Sequence, residues 1–241
     1  MNCPRKGPSL ANFKLFGGTN PGDVARPDSV AVIGLGRFGR ALALELMAHG
    51  TDVLGIDRDE SVVQSLNGKL THVVAADATS EEALRQLSVD EFDHVVISIA
   101  SNLEASILAT SLMLQFNINE LWAKAVSEAH RAILEQLGVR HIVFPEQDMG
   151  RRVAHMVRGS LQDYILIDED FALAKTTPHQ GILGEELGAL DVRRRHGVTI
   201  TAVKHARGHW EPATAQTVLA ADDVILVSGP AKKAEGFKRL R

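Results

Sequence analysis

Cysteine occurs once in the 241 residues, at Cys3, which excludes an intrachain disulfide and any paired-thiol chemistry within the chain. Catalytic signatures are equally scarce: no G-x-S-x-G elbow, no H-E-x-x-H and no C-x-x-C is present. An excess of positive charge is lacking too. With 26 basic and 30 acidic residues the formal net charge is -4, so no global field gathers nucleic acid or anionic membrane. No long apolar run exists: the longest uncharged stretch, Ala105 to Asn119, carries Thr, Ser, Gln and two Asn, and falls short of the roughly 20 apolar residues of a membrane span. Nothing at the N-terminus resembles a basic stretch followed by a secretory core, so a cytoplasmic protein is expected.

What is present is ordinary for a folded protein, with 45% hydrophobic and 23% charged residues and enough length for one large domain or two modest ones. Residues 1–28, rich in Pro, Gly and Asn with Leu10, Phe13, Leu15 and Phe16 as apolar points, read as a flexible tail. From Ser29 onward β-branched runs alternate with helical patterns. Strands are predicted at Ser29–Leu35, Thr51–Asp57, His72–Asp77, His94–Ala100, Leu121–Val126 and His141–Glu146. Helices are predicted near Phe38–Met47, Asp59–Leu66, Ser80–Leu87, Leu103–Phe116 and Glu128–Leu137, with a capping box from Thr79 to Glu82. Such alternation builds an α/β, doubly wound, Rossmann-like parallel sheet over 29–146, which takes ligands at the carboxyl ends of its strands.

Beyond Glu146 the pattern changes. A linker or crossover helix is expected within 147–165, bearing Val153, Met156 and Val157 on an apolar face with no obvious cover in its own chain, which predicts at least a dimer. A small α+β domain over 166–241 follows, with strands at Tyr164–Ile167, Phe171–Thr176, Val198–His205 and Asp223–Ser228. Between them fall a helix at Leu187–Arg195 and a turn through Arg207-Gly208, and a last helical stretch runs to Arg241.

The chemistry concentrates in Gly34-Leu35-Gly36-Arg37-Phe38-Gly39, a G-x-G-x-x-G directly after a strand and at a helix start, with Asp57 eighteen residues beyond Gly39 at the next strand's end. The three glycines serve a tight turn, backbone approach to a pyrophosphate and close helix-to-sheet packing, while the helix N-terminus offers amides and partial positive charge. Asp57 is placed to accept from ribose hydroxyls, so an adenine ribonucleotide is expected. Arg37, inside the loop, either reaches a terminal phosphate or is solvated. Asp77-Ala78-Thr79 closes the third strand where an adenine edge would lie, and Ser98, Ala100, Ser101 and Asn102 end the fourth at the same edge. His205 and His209 are four apart but bracket a turn, which makes a poor metal pair.

With these residues in view the chain resembles the regulator-of-potassium-conductance (RCK, or KTN) proteins, regulatory subunits of Trk/Ktr-type potassium transporters. The resemblance runs from about 29 to 241 and rests on the glycine loop, Asp57, Asp77-Ala78-Thr79, Trp122-Ala123-Lys124-Ala125 and Pro145-Glu146-Gln147-Asp148-Met149-Gly150. In the small domain it rests on Leu190-Asp191-Val192-Arg193, Gly197-Val198-Thr199-Ile200 and the Asp222-Asp223-Val224-Ile225 turn. Thr199 stands where many relatives show Asn.

The resemblance implies a homo-oligomer, a ring of dimers and usually an octamer, on the cytoplasmic side of an integral membrane potassium-translocating subunit. ATP, ADP or NAD(H) would bind in the first domain, with Phe38, Arg58 and Lys124 counted at the site and Arg37 at the γ-phosphate. It also implies a divalent-cation site joined by Glu146, and cyclic di-AMP near Arg193, Val198, Thr199 and Ile200. An NAD-dependent oxidoreductase is the alternative, though the roughly 75 residues after the linker show no acid–base constellation. A transcription factor would need a basic reading helix, and none stands out.

Overall fold

In this computed structural model the structure describes residues 29–159, 161–206 and 208–239. The expected tail, Arg207 of the expected turn and the last two residues of the final helix lie outside them. The chain divides between Pro145 and Glu146 into two compact units.

The first unit alternates β1 (Val30–Ile33), α1 (Arg37–Ala48), β2 (Val53–Asp57), α2 (Glu60–Leu66), β3 (His72–Ala75), α3 (Glu81–Gln86), β4 (His94–Ile97), α4 (Leu103–Gln115), β5 (Glu120–Lys124), α5 (Glu128–Leu137) and β6 (His141–Val143). All pairings are parallel, in the order β3-β2-β1-β4-β5-β6. The order reverses between β1 and β4, the switch point where such sheets bind ligands. Both faces are covered, as a parallel sheet requires. Ala31 and Ile33 of β1 join Leu54 and Ile56 of β2 in one apolar cluster, while Val32 and Val53 point into another with Leu35, Ala43, Leu66 and Leu70. Burying each large aliphatic side chain here stabilises the unit by about 1.5–3 kcal/mol.

Strands end earlier than their β-branched patterns suggest, because the residues past Ile33, Ala75, Ile97 and Lys124 leave the ladder to form loops and caps. Asp59, Ser80, Asn102 and Ser127 cap α2, α3, α4 and α5 through their side chains. The expected capping box is replaced by a simple N-cap: Ser80 Oγ accepts the Ala83 amide at 3.3 Å, Ala83 has no carboxylate to return a bond, and Thr79 is turned toward Asp77.

The second unit opens with α6 (Pro145–Gly159), which starts two residues before the expected Gln147. Proline fits a first helical turn because its missing N–H has no intrahelical partner there. Glu146 is thus in a helix and not at a strand end. Antiparallel strands follow: β7 (Asp163–Leu166), β8 (Phe171–Thr176), β9 (Thr199–Lys204), β10 (Trp210–Pro212) and β11 (Val224–Pro230), in the order β10-β9-β11-β8-β7. A 3-10 turn (Gln180–Ile182), α7 (Leu187–Leu190), α8 (Val192–His196), α9 (Ala231–Gly236) and a closing 3-10 turn (Phe237–Arg239) complete it. The single helix expected over Leu187–Arg195 is two, since Asp191 adopts a left-handed conformation (φ 46°) between them. β10 was not expected: three residues ending in a proline carry almost no strand signal.

The apolar face of α6 is partly covered by its own chain, contrary to expectation. Met156 packs on Leu161, Tyr164, Ala172, Ala174 and Ala234, whereas Met149, Val153 and Val157, four apart, remain 52%, 43% and 79% exposed. Arg152 forks onto Asp163 with bonds of 2.7–2.9 Å, fastening α6 to β7 and holding the Asp163 carboxyl below its usual range.

Past the end of β9, His205 Nδ1 lies 2.9 Å from Oδ2 of the buried Asp223, and its Nε2 lies 3.1 Å from Glu211. The Asp223 bond chiefly raises the His205 pKa above its ordinary value. A raised pKa means stabilisation that is full below the unfolded value near 6.5 and is lost as pH rises through the folded one. The destabilisation caused by His205→Gln, measured by urea unfolding, should accordingly be larger at pH 6 than at pH 9. Equal penalties would contradict the assignment.

Candidate functional site

Each glycine of the loop after β1 has a different surrounding. Gly34 has φ 91°, and a Cβ there would lie 2.9 Å from Ile99 N and 3.0 Å from the Ser98 carbonyl carbon. A Cβ on Gly39, in the first turn of α1, would overlap Gly34 O and Ser98 Oγ, so only glycine lets the helix sit this close to the loop. Gly36 differs: it is the N-cap of α1, has extended backbone, and nothing lies within 4 Å of where its Cβ would be. Gly36 therefore leaves the helix N-terminus open to solvent. Neither a side-chain cap nor an acidic residue occupies the first turn of this twelve-residue helix, which suits it to an anion.

Two side chains hold the loop in this shape. Ser98, 4% exposed at the end of β4, donates its hydroxyl to Gly34 O, and its amide donates to Ile33 O at 2.7 Å. Ser98, expected among the small residues at the ligand edge, braces the glycine loop through this bond. Asp57, half-buried at the end of β2, accepts the Leu35 amide on Oδ2 at 2.6 Å and the Asp59 amide on Oδ1 at 3.0 Å. A carboxylate has about four acceptor sites, so capacity for a hydroxyl donor is left.

The other expected residues separate in the same way. Asp77 is exposed, with Oδ1 accepting from Thr79 N at 2.9 Å and Thr79 Oγ1 at 2.7 Å; these bonds first, then the charge of Arg58, hold its carboxyl below the usual range. Ala78 between them is buried, its side chain in the core cluster. Ala100 and Ser101 are exposed past β4, while Asn102 caps α4 by accepting the Ala105 amide at 3.0 Å. Lys124, 5% exposed at the end of β5, has its Nζ 5.6 Å from the centre of the Phe38 ring. Arg37 and Arg58 are exposed. All of these belong to loops or strand ends along one edge of the sheet, centred on β1. The Leu35–Asp57 bond and the Ser98 prop were not anticipated. A small hydroxyl residue ending the strand beside β1 is the signal that could have suggested the second.

Glu146 is exposed in the first turn of α6. Among the described residues no group of three or more His, Cys, Asp and Glu is arranged to hold a metal, at Glu146 or elsewhere. In the second unit a cleft of about 250 Å³ is lined by Asp191, Arg193, Val198, Thr199, Ile200 and Thr214 among others. Val198 and Ile200 are buried and give it an apolar floor; Arg193 and Thr199 are exposed at its rim. No helix among the described residues is long and apolar enough to cross a membrane.

Two domain families match in succession, the TrkA-N domain over residues 30–145 and the TrkA-C domain over 171–240. Ktr system potassium uptake protein C of Bacillus subtilis (strain 168) is 33% identical over 210 residues, covering 87% of this chain and 95% of that protein. Ktr system potassium uptake protein A of Vibrio alginolyticus is 32% identical over 204 residues, covering 84% and 93%. The GsuK RCK domain has a similar fold, with TM-score 0.60 at 16% identity over 98% of this chain and 50% of that one. The GsuK channel bound to NAD gives 0.62 at 17% over 89% and 39%. With both domains matched in order and a third of positions shared along nearly all of a potassium uptake protein, the chain belongs to the Ktr-type RCK family built from TrkA-N and TrkA-C domains.

Proposed function

We propose that the protein is the nucleotide-binding regulatory subunit of a Ktr-type potassium uptake system, acting at the cytoplasmic face on an integral membrane potassium-translocating partner. The observation that carries this is the opening at Gly36: an uncapped helix N-terminus for phosphates, beside a carboxylate with acceptor capacity for a ribose. ATP or ADP is the ligand class, with NAD(H) sharing the same pyrophosphate and ribose. The ionisable groups at this edge support binding over oxidoreductase catalysis, since Asp57 serves the loop, Asp77 serves Thr79 and Lys124 lies over Phe38.

The stripe of Met149, Val153 and Val157 on α6 supports pairing with a second copy, the unit from which an octameric ring would be built. The cleft with Arg193 at its rim supports cyclic di-AMP as a second ligand, its apolar floor suiting the bases and its guanidinium a phosphate. For gating, a nucleotide must bind one ring shape better than another, because equal affinity shifts nothing. Arg37 supplies a means: an exposed guanidinium next to the phosphate position can bond the γ-phosphate that ADP lacks.

Calorimetry at one fixed salt concentration tests the reading. Wild type should bind ATP, ADP and NADH, and Arg37→Ala should weaken ATP about ten- to a hundredfold, the worth of one charged hydrogen bond, while ADP stays within about twofold. No binding of any of the three to wild type would overturn the nucleotide reading. Parallel losses for ATP and ADP would remove Arg37 as the discriminating residue.

A further inference from the structure

His179 lies in the second unit between β8 and the 3-10 turn Gln180–Ile182, and is 6% exposed. Its Nδ1 accepts the Gly181 amide at 3.2 Å, which places the proton of the neutral ring on Nε2. That Nε2 is fully buried and has no hydrogen-bond partner. Two rings stand edge-on around it, His196 at 5.6 Å and Phe237 at 5.1 Å, themselves 5.9 Å apart. His196 is the last residue of α8, the helix that carries Asp191, Val192 and Arg193 into the wall of the cleft, and Val198 lines the cleft two residues on. Ile182, Val192, Val198 and Phe237 share one apolar cluster, so the three rings join the 3-10 turn, α8 and the C-terminal turn at a single point.

We propose that this three-ring cluster is a proton-sensitive latch on the cleft: protonation of His179 releases the 3-10 turn from α8, and the cleft loses the wall that α8 provides. A proton added at Nδ1 would face the Gly181 N–H, donor against donor, while Nε2–H still finds no acceptor. The resulting charge would sit among Ile182, Val198 and Phe237, where desolvation opposes it. Its surroundings offer no relief. α8 carries His196 and the exposed Arg193, Arg194 and Arg195; α9 carries Lys232, Lys233, whose side chain lies against Gly197, and Glu235, which is held by His155 and Arg158; the closing 3-10 turn carries Lys238 and Arg239. Apart from Glu235, which is engaged by His155 and Arg158, these groups are basic, and among the described residues no carboxylate pairs with either ring. Burial first, then His196, lowers the His179 pKa. The unfolded chain takes the proton more readily than the folded one, so this group's contribution to stability falls as pH drops below the unfolded value near 6.5.

The test compares the full chain with His179→Asn, whose Oδ1 can accept the Gly181 amide and does not titrate. Between pH 7.5 and 5.5 the unfolding equilibrium constant, from urea curves, should rise about tenfold more in wild type than in the variant. Taking the difference cancels the opposite contribution of His205. Ring nitrogen NMR of wild type should show His179 as the Nε2–H tautomer at pH 7.5, and a protonated ring at lower pH should come together with displaced α8 amide signals; a ring that titrates near 6.5 while α8 keeps its native signals would overturn the latch, whether or not the variant folds. Cyclic di-AMP affinity should fall between the two pH values in wild type and hold steady in the variant. This last arm rests on the cleft reading above: absent binding at pH 7.5 refutes the ligand, and the unfolding and NMR arms still judge the latch. Parallel pH dependence of unfolding in the two proteins also overturns it.

Discussion

Gly36→Ala is expected to fold normally and to lose nucleotide, while Gly39→Ala is expected to lose the fold of the first unit. The two positions are three residues apart in one motif, yet their surroundings are opposite. An alanine methyl at 36 meets nothing within 4 Å, and the extended backbone there is open to any residue. Its cost is the weaker N-cap propensity of alanine, under about 1 kcal/mol. The same methyl would stand where phosphates must approach the amides of α1, so ADP affinity should drop at least about tenfold. At 39 the methyl would overlap a carbonyl oxygen and the Ser98 hydroxyl, and relief requires moving α1 off the sheet. Forced overpacking of that kind costs about 3–5 kcal/mol, at the severe end for single substitutions. Urea unfolding and ADP calorimetry on both variants read the contrast. Wild-type ADP affinity in Gly36→Ala would mean that the phosphates bind elsewhere.

Asp57→Ala is expected to weaken ATP, ADP and NADH alike, by about ten- to a hundredfold, because the ribose is common to all three. Here the structure changes what the experiment means. The same carboxylate holds the Leu35 and Asp59 amides, so its removal also leaves two backbone donors without their acceptor, at about 1–3 kcal/mol of stability. Asp57→Asn separates the roles, since its single oxygen can keep one amide while the charge that favours ribose hydroxyls is gone. Full affinity in Asp57→Asn, combined with lowered stability, would leave Asp57 as a loop anchor alone.

The parallel sheet was legible because its strands are short β-branched runs set between helical stretches, and because G-x-G-x-x-G and its following acid fall in register with a strand, a helix start and the next strand's end. Strand ends were less legible. Leu35, Asp77 and Ala100 carry strand-like neighbours, but Leu35 turns its amide to Asp57, a partner distant in sequence, while the chain past Asp77 and Ala100 turns into the caps of α3 and α4 at Ser80 and Asn102. The bonds of Ser98 and Asp57 were invisible for the same reason, each joining backbone and side chain from different strands. In the small unit, one left-handed residue, Asp191, divides a helix whose pattern reads as continuous. The three-residue β10 holds its place through pairing with β9, not through its own composition.

The support given to Gly34 by Ser98, and to Leu35 by Asp57, has a thermodynamic consequence for the ligand. These bonds fix the loop from within the protein, so little conformational entropy would be spent on shaping it when an anion associates. Free energy that would otherwise go into folding a phosphate-binding segment stays available for other work, including displacement of neighbouring subunits. Under the proposed function, ligand exchange would proceed without a folding step, and the ratio of competing adenine nucleotides, more than the absolute level of either one, would be the quantity read out.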